Sequence, residues 1–249
     1  MTSPPEGVVI RGLTRTFGDV RAGSDLHLTI PPGTVYGLLG PNGAGKTTTL
    51  RMLGTLLQPT AGSASVAGFD VSRSPEEVRR NVGFLTADTA LYPRLTPIEV
   101  LRYFGALHGV EEEALEARIT SLAERLEFTR YRDQRCGTLS TGQRQRVSIA
   151  RALVHSPEVL IFDEPTAGLD MMAADFIGTM LDDERSAGRT IVLSTHVLAE
   201  AELLCDRIGL IQGGQLVTEG TVAELLEQAG EPSLAPAVLK LLRSHGGSP

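Results

Sequence analysis

The sequence predicts an α/β fold: a mainly parallel sheet with a small antiparallel β subdomain and a helical insertion. Three observations predict it. Apolar runs of strand length alternate with helix-periodic segments, the pattern of parallel βαβ units. A glycine-rich loop, residues 40–45, follows one such run directly and opens a helix. A long helix-periodic stretch, residues 86–155, interrupts the series of strands.

Residues 1–6, with Pro4-Pro5, have the composition of a loose terminus. Residues 8–13, and then Leu26, Leu28 and Ile30, alternate with polar residues, and that period of two marks two half-buried strands. Pro31-Pro32-Gly33 ends the second. Residues 35–39 are almost continuously apolar, as expected of a strand buried on both faces. Residues 82–85 predict another short strand. In the helical stretch, Thr96-Pro97-Ile98-Glu99 joins an N-cap, a proline at the first helical position and a capping-box glutamate. Residues 111–128 are amphipathic, with Leu115, Ile119, Leu122 and Leu126 at helical spacing. Strands return at 159–162, 191–193 and 208–211, with a helix near 173–185 between the first two. The expected organisation is a single domain over residues 7–230. Its α/β core, with the β subdomain, comprises 7–85 and 156–230; the helical subdomain comprises 86–155; a tail follows at 231–249.

The chain has 249 residues, 41% of them hydrophobic and 21% charged, enough to bury a core without staples. This near-average composition excludes a disordered or fibrous protein. A net charge of −7 argues against a protein held to nucleic acid by phosphate neutralisation. No apolar run approaches the roughly 18 residues of a membrane helix, so the chain is not expected to cross a membrane itself. Cys136 and Cys205 show no metal-binding spacing, and no signal peptide follows Met1, so the expected compartment is a reducing cytoplasm.

Gly40-Pro41-Asn42-Gly43-Ala44-Gly45-Lys46-Thr47 matches G-x-x-x-x-G-K-[ST] in full, between a buried strand and a helix. This is the phosphate loop of P-loop NTPases. Its N–H groups make an anion nest, and the helix start adds about half a positive charge. Lys46 reaches the β- and γ-phosphates, the Thr47 hydroxyl ligates Mg²⁺, and Thr48 continues the nucleotide-binding stretch. Residues 159–162 deliver Asp163 and Glu164 to the C-terminal end of a strand, where open α/β sheets bind ligands. Asp163 is placed to hold Mg²⁺ through water and Glu164 to polarise the attacking water. Without the upstream loop the same pair would read as a helix N-cap. Leu139-Ser140-Thr141-Gly142-Gln143 precedes a helix carrying Arg144, Arg146 and Arg151. It reads either as an N-cap on a solvated helix or as a second phosphate site. The second becomes sensible if it serves a nucleotide on another subunit.

In combination these motifs resemble the ATP-binding subunits of ABC transporters, and the likeness runs over residues 8–230. The resemblance implies a Walker A loop at 40–47, a Walker B strand at 159–164 and a signature at 139–143, with Thr141 in place of the first glycine of LSGGQ. It implies that Asp170, in Ala167-Gly168-Leu169-Asp170, is the D-loop aspartate. It also makes His196, in Leu193-Ser194-Thr195-His196, the phosphate-sensing switch histidine, and Phe17 the aromatic that stacks on adenine. ATP and Mg²⁺ are the implied cofactors. The implied partners are a second copy, closing head to tail so that Ser140, Thr141, Gly142 and Gln143 meet the other chain's nucleotide, and a separate transmembrane permease gripped through 86–107. The implied location is the cytoplasmic face of the membrane.

Gly83-Phe84-Leu85-Thr86-Ala87-Asp88 and Leu91-Tyr92-Pro93-Arg94-Leu95-Thr96 resemble the exporter branch that includes sodium-extruding and antibiotic-resistance subunits. In one respect the sequence departs from the family. The glutamine expected after the strand at 82–85 is replaced by Ala87, leaving the adjacent Asp88 as a candidate metal ligand. The competing reading is a soluble ABC-type ATPase acting on nucleic acid or ribosomes; acidity and the lack of a coiled-coil insertion count against it. A small-molecule phosphotransferase would have no use for the signature or His196.

Overall fold

The computed structural model describes residues 7–86 and 91–245. The first two strands are longer than their alternation suggests. β1 (Val8–Phe17) pairs antiparallel with β2 (Val20–Ile30), Val8 opposite Ile30 and Phe17 opposite Val20. On its other side β1 takes β4 (Ala61–Val66), and β5 (Phe69–Asp70) completes a four-stranded antiparallel sheet in the order β2-β1-β4-β5. The buried hydrophobic residues of β1 and β2, Val8, Ile10, Leu13, Leu26, Leu28 and Ile30, are the apolar members of the alternation.

The second sheet contains β3 (Val35–Leu39), β6 (Val82–Leu85), β7 (Val159–Asp163), β8 (Thr190–Thr195), β9 (Arg207–Gln212) and β10 (Gln215–Gly220). Its order is β10-β9-β3-β8-β7-β6, with every pairing parallel except the β9–β10 hairpin at one edge. β3, β7 and β8 are buried at every residue. The reason lies in the pleat, which sends successive side chains to opposite faces. Leu160, Phe162, Ile191 and Leu193 join one apolar cluster, while Val159, Ile161 and Val192 join another. The second cluster is shared with the antiparallel sheet and with α1 (Lys46–Leu53), through Leu50, Met52 and Leu53.

The first cluster is filled by α3 (Pro97–Leu107), α4 (Glu112–Arg125), α5 (Thr141–Leu153) and α6 (Met171–Ser186); α2 (Pro75–Asn81) packs on the other. Thr96 and Glu99 form a reciprocal capping box on α3, and Ser140 and Gln143 form one on α5. Leu115, Ile119 and Leu122 are the buried stripe of α4. Glu184 of α6, fully buried, pairs with Arg125 at the end of α4 and with Arg189 just before β8, so an ion triad ties the helical insertion to the core.

Several elements have no counterpart in the sequence reading: α2, β4, β5, β10, α7 (Leu198–Leu204), α8 (Val222–Ala229) and α9 (Leu234–His245). α9 lies in the stretch read only as a tail; Leu234, Ala237, Val238 and Leu241 carry it into the core cluster. Among the described residues no helix is long and apolar enough to cross a membrane.

Candidate nucleotide site

Three neighbouring strands, β3, β8 and β7, end on one edge of the parallel sheet, and the residues that follow each of them build the site. After β3 comes the glycine loop. A Cβ on Gly40 would stand 2.2 Å from the Ile211 carbonyl oxygen, so the loop starts hard against β9. Gly45 has φ 104° and would place a Cβ 2.1 Å from the Ala22 carbonyl oxygen, a conformation and a space open only to glycine. Between them Pro41, Asn42 and Gly43 are exposed or nearly so and Ala44 is buried.

Gly45 is the N-cap of α1, and no side chain caps this helix. Its first N–H groups are therefore left for an anion. Lys46 is buried, 5% exposed, and its Nζ donates to the carbonyls of Gly40 at 2.6 Å and Pro41 at 3.1 Å. Burial pushes its pKa down, while Glu164 and Asp163 pull it back up. Among the described residues its hydrogen bonds go only to these two carbonyls, which leaves a third N–H for a phosphate. Thr47 turns its hydroxyl to Asp163, donating to Oδ1 at 3.0 Å, and Thr48 lies half-buried one residue on.

Asp163, 2% exposed, ends β7 directly opposite Ser194 of β8. Its Oδ1 accepts from Ser194 Oγ at 2.6 Å as well as from Thr47. Glu164 leaves the strand in the left-handed region, φ 51°, unusual for a non-glycine residue. Its N–H reaches both the carbonyl and the hydroxyl of Ser194, each at 3.1 Å. Its Oε1 lies 3.1 Å from Nδ1 of His196, the residue just past β8. The structure thus brings Lys46, Thr47, Asp163, Glu164 and His196 together. Ser194 belongs to the same network, and the sequence reading gives it no role beyond a place in the His196 motif. Its only signal is a polar Ser-Thr pair closing an apolar strand.

Among the described residues the remaining candidates make no hydrogen bond to these side chains. Asp170 is the N-cap of α6, accepting from the Ala173 N–H at 2.8 Å. Phe17, 45% exposed at the end of β1, lies under the Arg15 guanidinium, 4.6 Å from the ring centroid. The hydrogen bonds of Ser140, Thr141 and Gln143 stay within the start of α5. Gly142 faces α6, where a Cβ would meet Ala173 Cβ at 3.7 Å. Among the described residues no hydrogen bond joins 140–143 to 40–48. Ala87 and Asp88 lie outside the described residues.

The donor set suits magnesium. A hydroxyl and a carboxylate are hard oxygen ligands, and two of them suffice for an ion that arrives with phosphates and water. Among the described residues no group of three or more His, Cys, Asp or Glu could cage a metal by protein ligands alone.

A buried strand feeding a phosphate loop, with a lysine, a hydroxyl and two acids converging on it, defines a P-loop nucleoside triphosphatase. The chain matches the ABC transporter family over residues 24–167, and it belongs to that family. It is 40% identical over 225 residues to the ABC transporter ATP-binding protein NatA of Bacillus subtilis (strain 168), covering 88% of this chain and 92% of that one. It is 38% identical over 229 residues to the daunorubicin/doxorubicin resistance ATP-binding protein DrrA of Streptomyces peucetius, covering 92% of this chain and 69% of that one. It is 39% identical over 224 residues to the Nod factor export ATP-binding protein I of Burkholderia lata, covering 90% and 74%. Among solved structures, an ATP-binding subunit of an ABC transporter superposes with a TM-score of 0.87 at 29% identity, covering 95% of this chain and 99% of that one. A dimeric ATP-binding cassette in a post-hydrolysis state with ADP and Pi gives 0.76 at 27% identity, covering 86% and 98%. The chain is an ATP-binding, ATP-hydrolysing subunit of the ABC type.

Proposed function

We propose that the chain powers a membrane exporter from the cytoplasmic face, working as a head-to-tail pair beneath a separate permease. The observation that carries this reading is the division of the site. Lys46, Thr47, Asp163, Glu164 and His196 converge, while Ser140–Gln143, beside α6, bond only within the start of α5 among the described residues and are available to a nucleotide on a second copy. Relatives named for drug resistance and Nod factor export supply the exporter class. Phe17 stacks on adenine, and Pro41 to Thr48 wrap the phosphates. Bound magnesium, which Thr47 and Asp163 would hold, would supply neutralisation of the phosphate charge.

Glu164 takes a proton from the attacking water as the water oxygen bonds to the γ-phosphorus and the bond to the ADP oxygen breaks. An ionised carboxylate only accepts hydrogen bonds, so His196 donates through Nδ1 and holds Glu164 in place. Asp170 relays closure between the two sites. Asp88 takes over part of the work of the glutamine that Ala87 replaces. The test is partner dependence: ATPase of the purified chain should rise when its membrane partner is added in lipid and stay unchanged with RNA or DNA. Stimulation by nucleic acid alone would overturn the exporter reading.

A further inference from the structure

Among the described residues, Ser194 is the one side chain hydrogen-bonded to both acids of the site. It is fully buried, at the C-terminal end of β8, in register with Asp163 of β7. Its hydroxyl donates to Asp163 Oδ1 at 2.6 Å and accepts from the Glu164 N–H at 3.1 Å. A hydroxyl has one proton to give and lone pairs to receive, so it can do both at once, which no apolar residue of that size can. Each bond matters for a different reason. Asp163 is buried, and its Oδ1 accepts from both Ser194 and Thr47, which fixes the carboxylate plane; among the described residues no hydrogen bond reaches Oδ2, the oxygen left to face a cation. Glu164 holds a left-handed backbone, which persists only where surrounding contacts over-determine it. The two oxygens of Ser194 supply those contacts.

We propose that Ser194 is a positioning residue for hydrolysis, orienting the metal-facing carboxylate and the water-activating glutamate through one hydroxyl. Its effect passes through Asp163 and Glu164 and does not require contact with substrate. The inference rests on the assignment of those two residues under the proposed function. Removing a partner that orients a metal ligand typically costs about 10–100-fold in metal affinity or activity.

The test uses the full chain with Ser194→Ala, Ser194→Thr and Glu164→Gln. The readouts are affinity for a fluorescent ATP analogue with Mg²⁺ and with EDTA, Mg²⁺ half-saturation of ATPase, kcat, KM for ATP, and thermal midpoint. For Ser194→Ala the expected result is affinity in EDTA within about twofold of wild type. Mg²⁺ half-saturation should rise and kcat fall, each by about tenfold or more, with KM little changed. Ser194→Thr, which keeps the hydroxyl, should recover at least part of both losses. Wild-type kcat and Mg²⁺ half-saturation in Ser194→Ala would overturn the proposal. So would equal loss of affinity with and without Mg²⁺, or a threonine variant as damaged as alanine, since either marks a packing role. Glu164→Gln separates the two readings. If it hydrolyses ATP normally, the assignment of Glu164 fails; if it is inactive while Ser194→Ala is not, only the positioning role fails.

Discussion

His196 Nδ1 lies 3.1 Å from Glu164 Oε1, although the two residues are 32 apart in sequence and neither belongs to a strand. Each follows directly on a strand, Glu164 on β7 and His196 on β8, and those strands are neighbours in the sheet. The half-exposed imidazole thus covers a carboxylate that is itself only 25% exposed.

Glu164→Gln should keep the shape of this pair and remove the proton acceptor. General-base loss typically costs about 10²–10⁴ in rate. Steady-state hydrolysis should fall within that range while equilibrium binding of ATP persists. Turnover within about threefold of wild type would assign the base elsewhere.

Because among the described residues no hydrogen bond joins 140–143 to the phosphate loop, activity should require two chains. Specific ATPase activity should climb with protein concentration in the dilute range, where mass action limits pairing. Ser140→Arg should abolish activity and leave single-chain nucleotide binding nearly intact. A turnover number flat over a hundredfold dilution, in a protein that sizes as a monomer throughout, contradicts the shared site.

The ion triad around the fully buried Glu184, with Arg189 16% and Arg125 37% exposed, should be costly to break. Removing one partner of a buried ion pair typically costs about 3–5 kcal/mol, because the remaining charge stays unpaired. Glu184→Ala leaves Arg125 and Arg189 facing each other without a carboxylate, and chemical denaturation should register a loss of that order. A change under about 1 kcal/mol, the scale of surface pairs, would mean the arginines find water instead.

His155 makes stability depend on acid. Burial, reinforced by His108 stacked at 3.7 Å, lowers its pKa from 6.5 to about 4. The folded form therefore refuses a proton that the unfolded chain accepts. Stability from this group is intact above about pH 6.5, declines as pH falls toward 4, and the decline stops below that. Denaturant midpoints at pH 7.5 and 5.0 should differ more for wild type than for His155→Gln, and an identical pH slope in the variant counts against the assignment.

Much of this molecule can be read along the line of its residues. The run at 159–162 announces a strand buried on both faces, and Val159–Asp163 forms one. Thr96 and Ser140 announce helix starts because capping is local chemistry within four residues. β4 (Ala61–Val66) escapes notice because Ala-Gly-Ser-Ala-Ser has almost no apolar contrast, and its strand state comes from pairing with β1. The stripe at 234, 237, 238 and 241 is helical in spacing but short, and it follows Glu231-Pro232-Ser233, which reads as a loop. In the site, residues that sit in contiguous motifs are legible. Ser194 is not, because its role comes from the register of β8 on β7, which no linear pattern records.

The phosphate loop also lies where the two sheets meet. Gly45 presses on Ala22 of β2, Gly214 at the β9–β10 turn donates to the Ala44 carbonyl at 2.9 Å, and Ser24 donates to the Gly214 carbonyl at 2.7 Å. A nucleotide settling on the loop therefore fastens a seam. Backbone amides such as that of Ser24, which bond across the seam without reaching toward phosphate, should exchange with solvent more slowly when the loop is filled. They would act as remote reporters of occupancy.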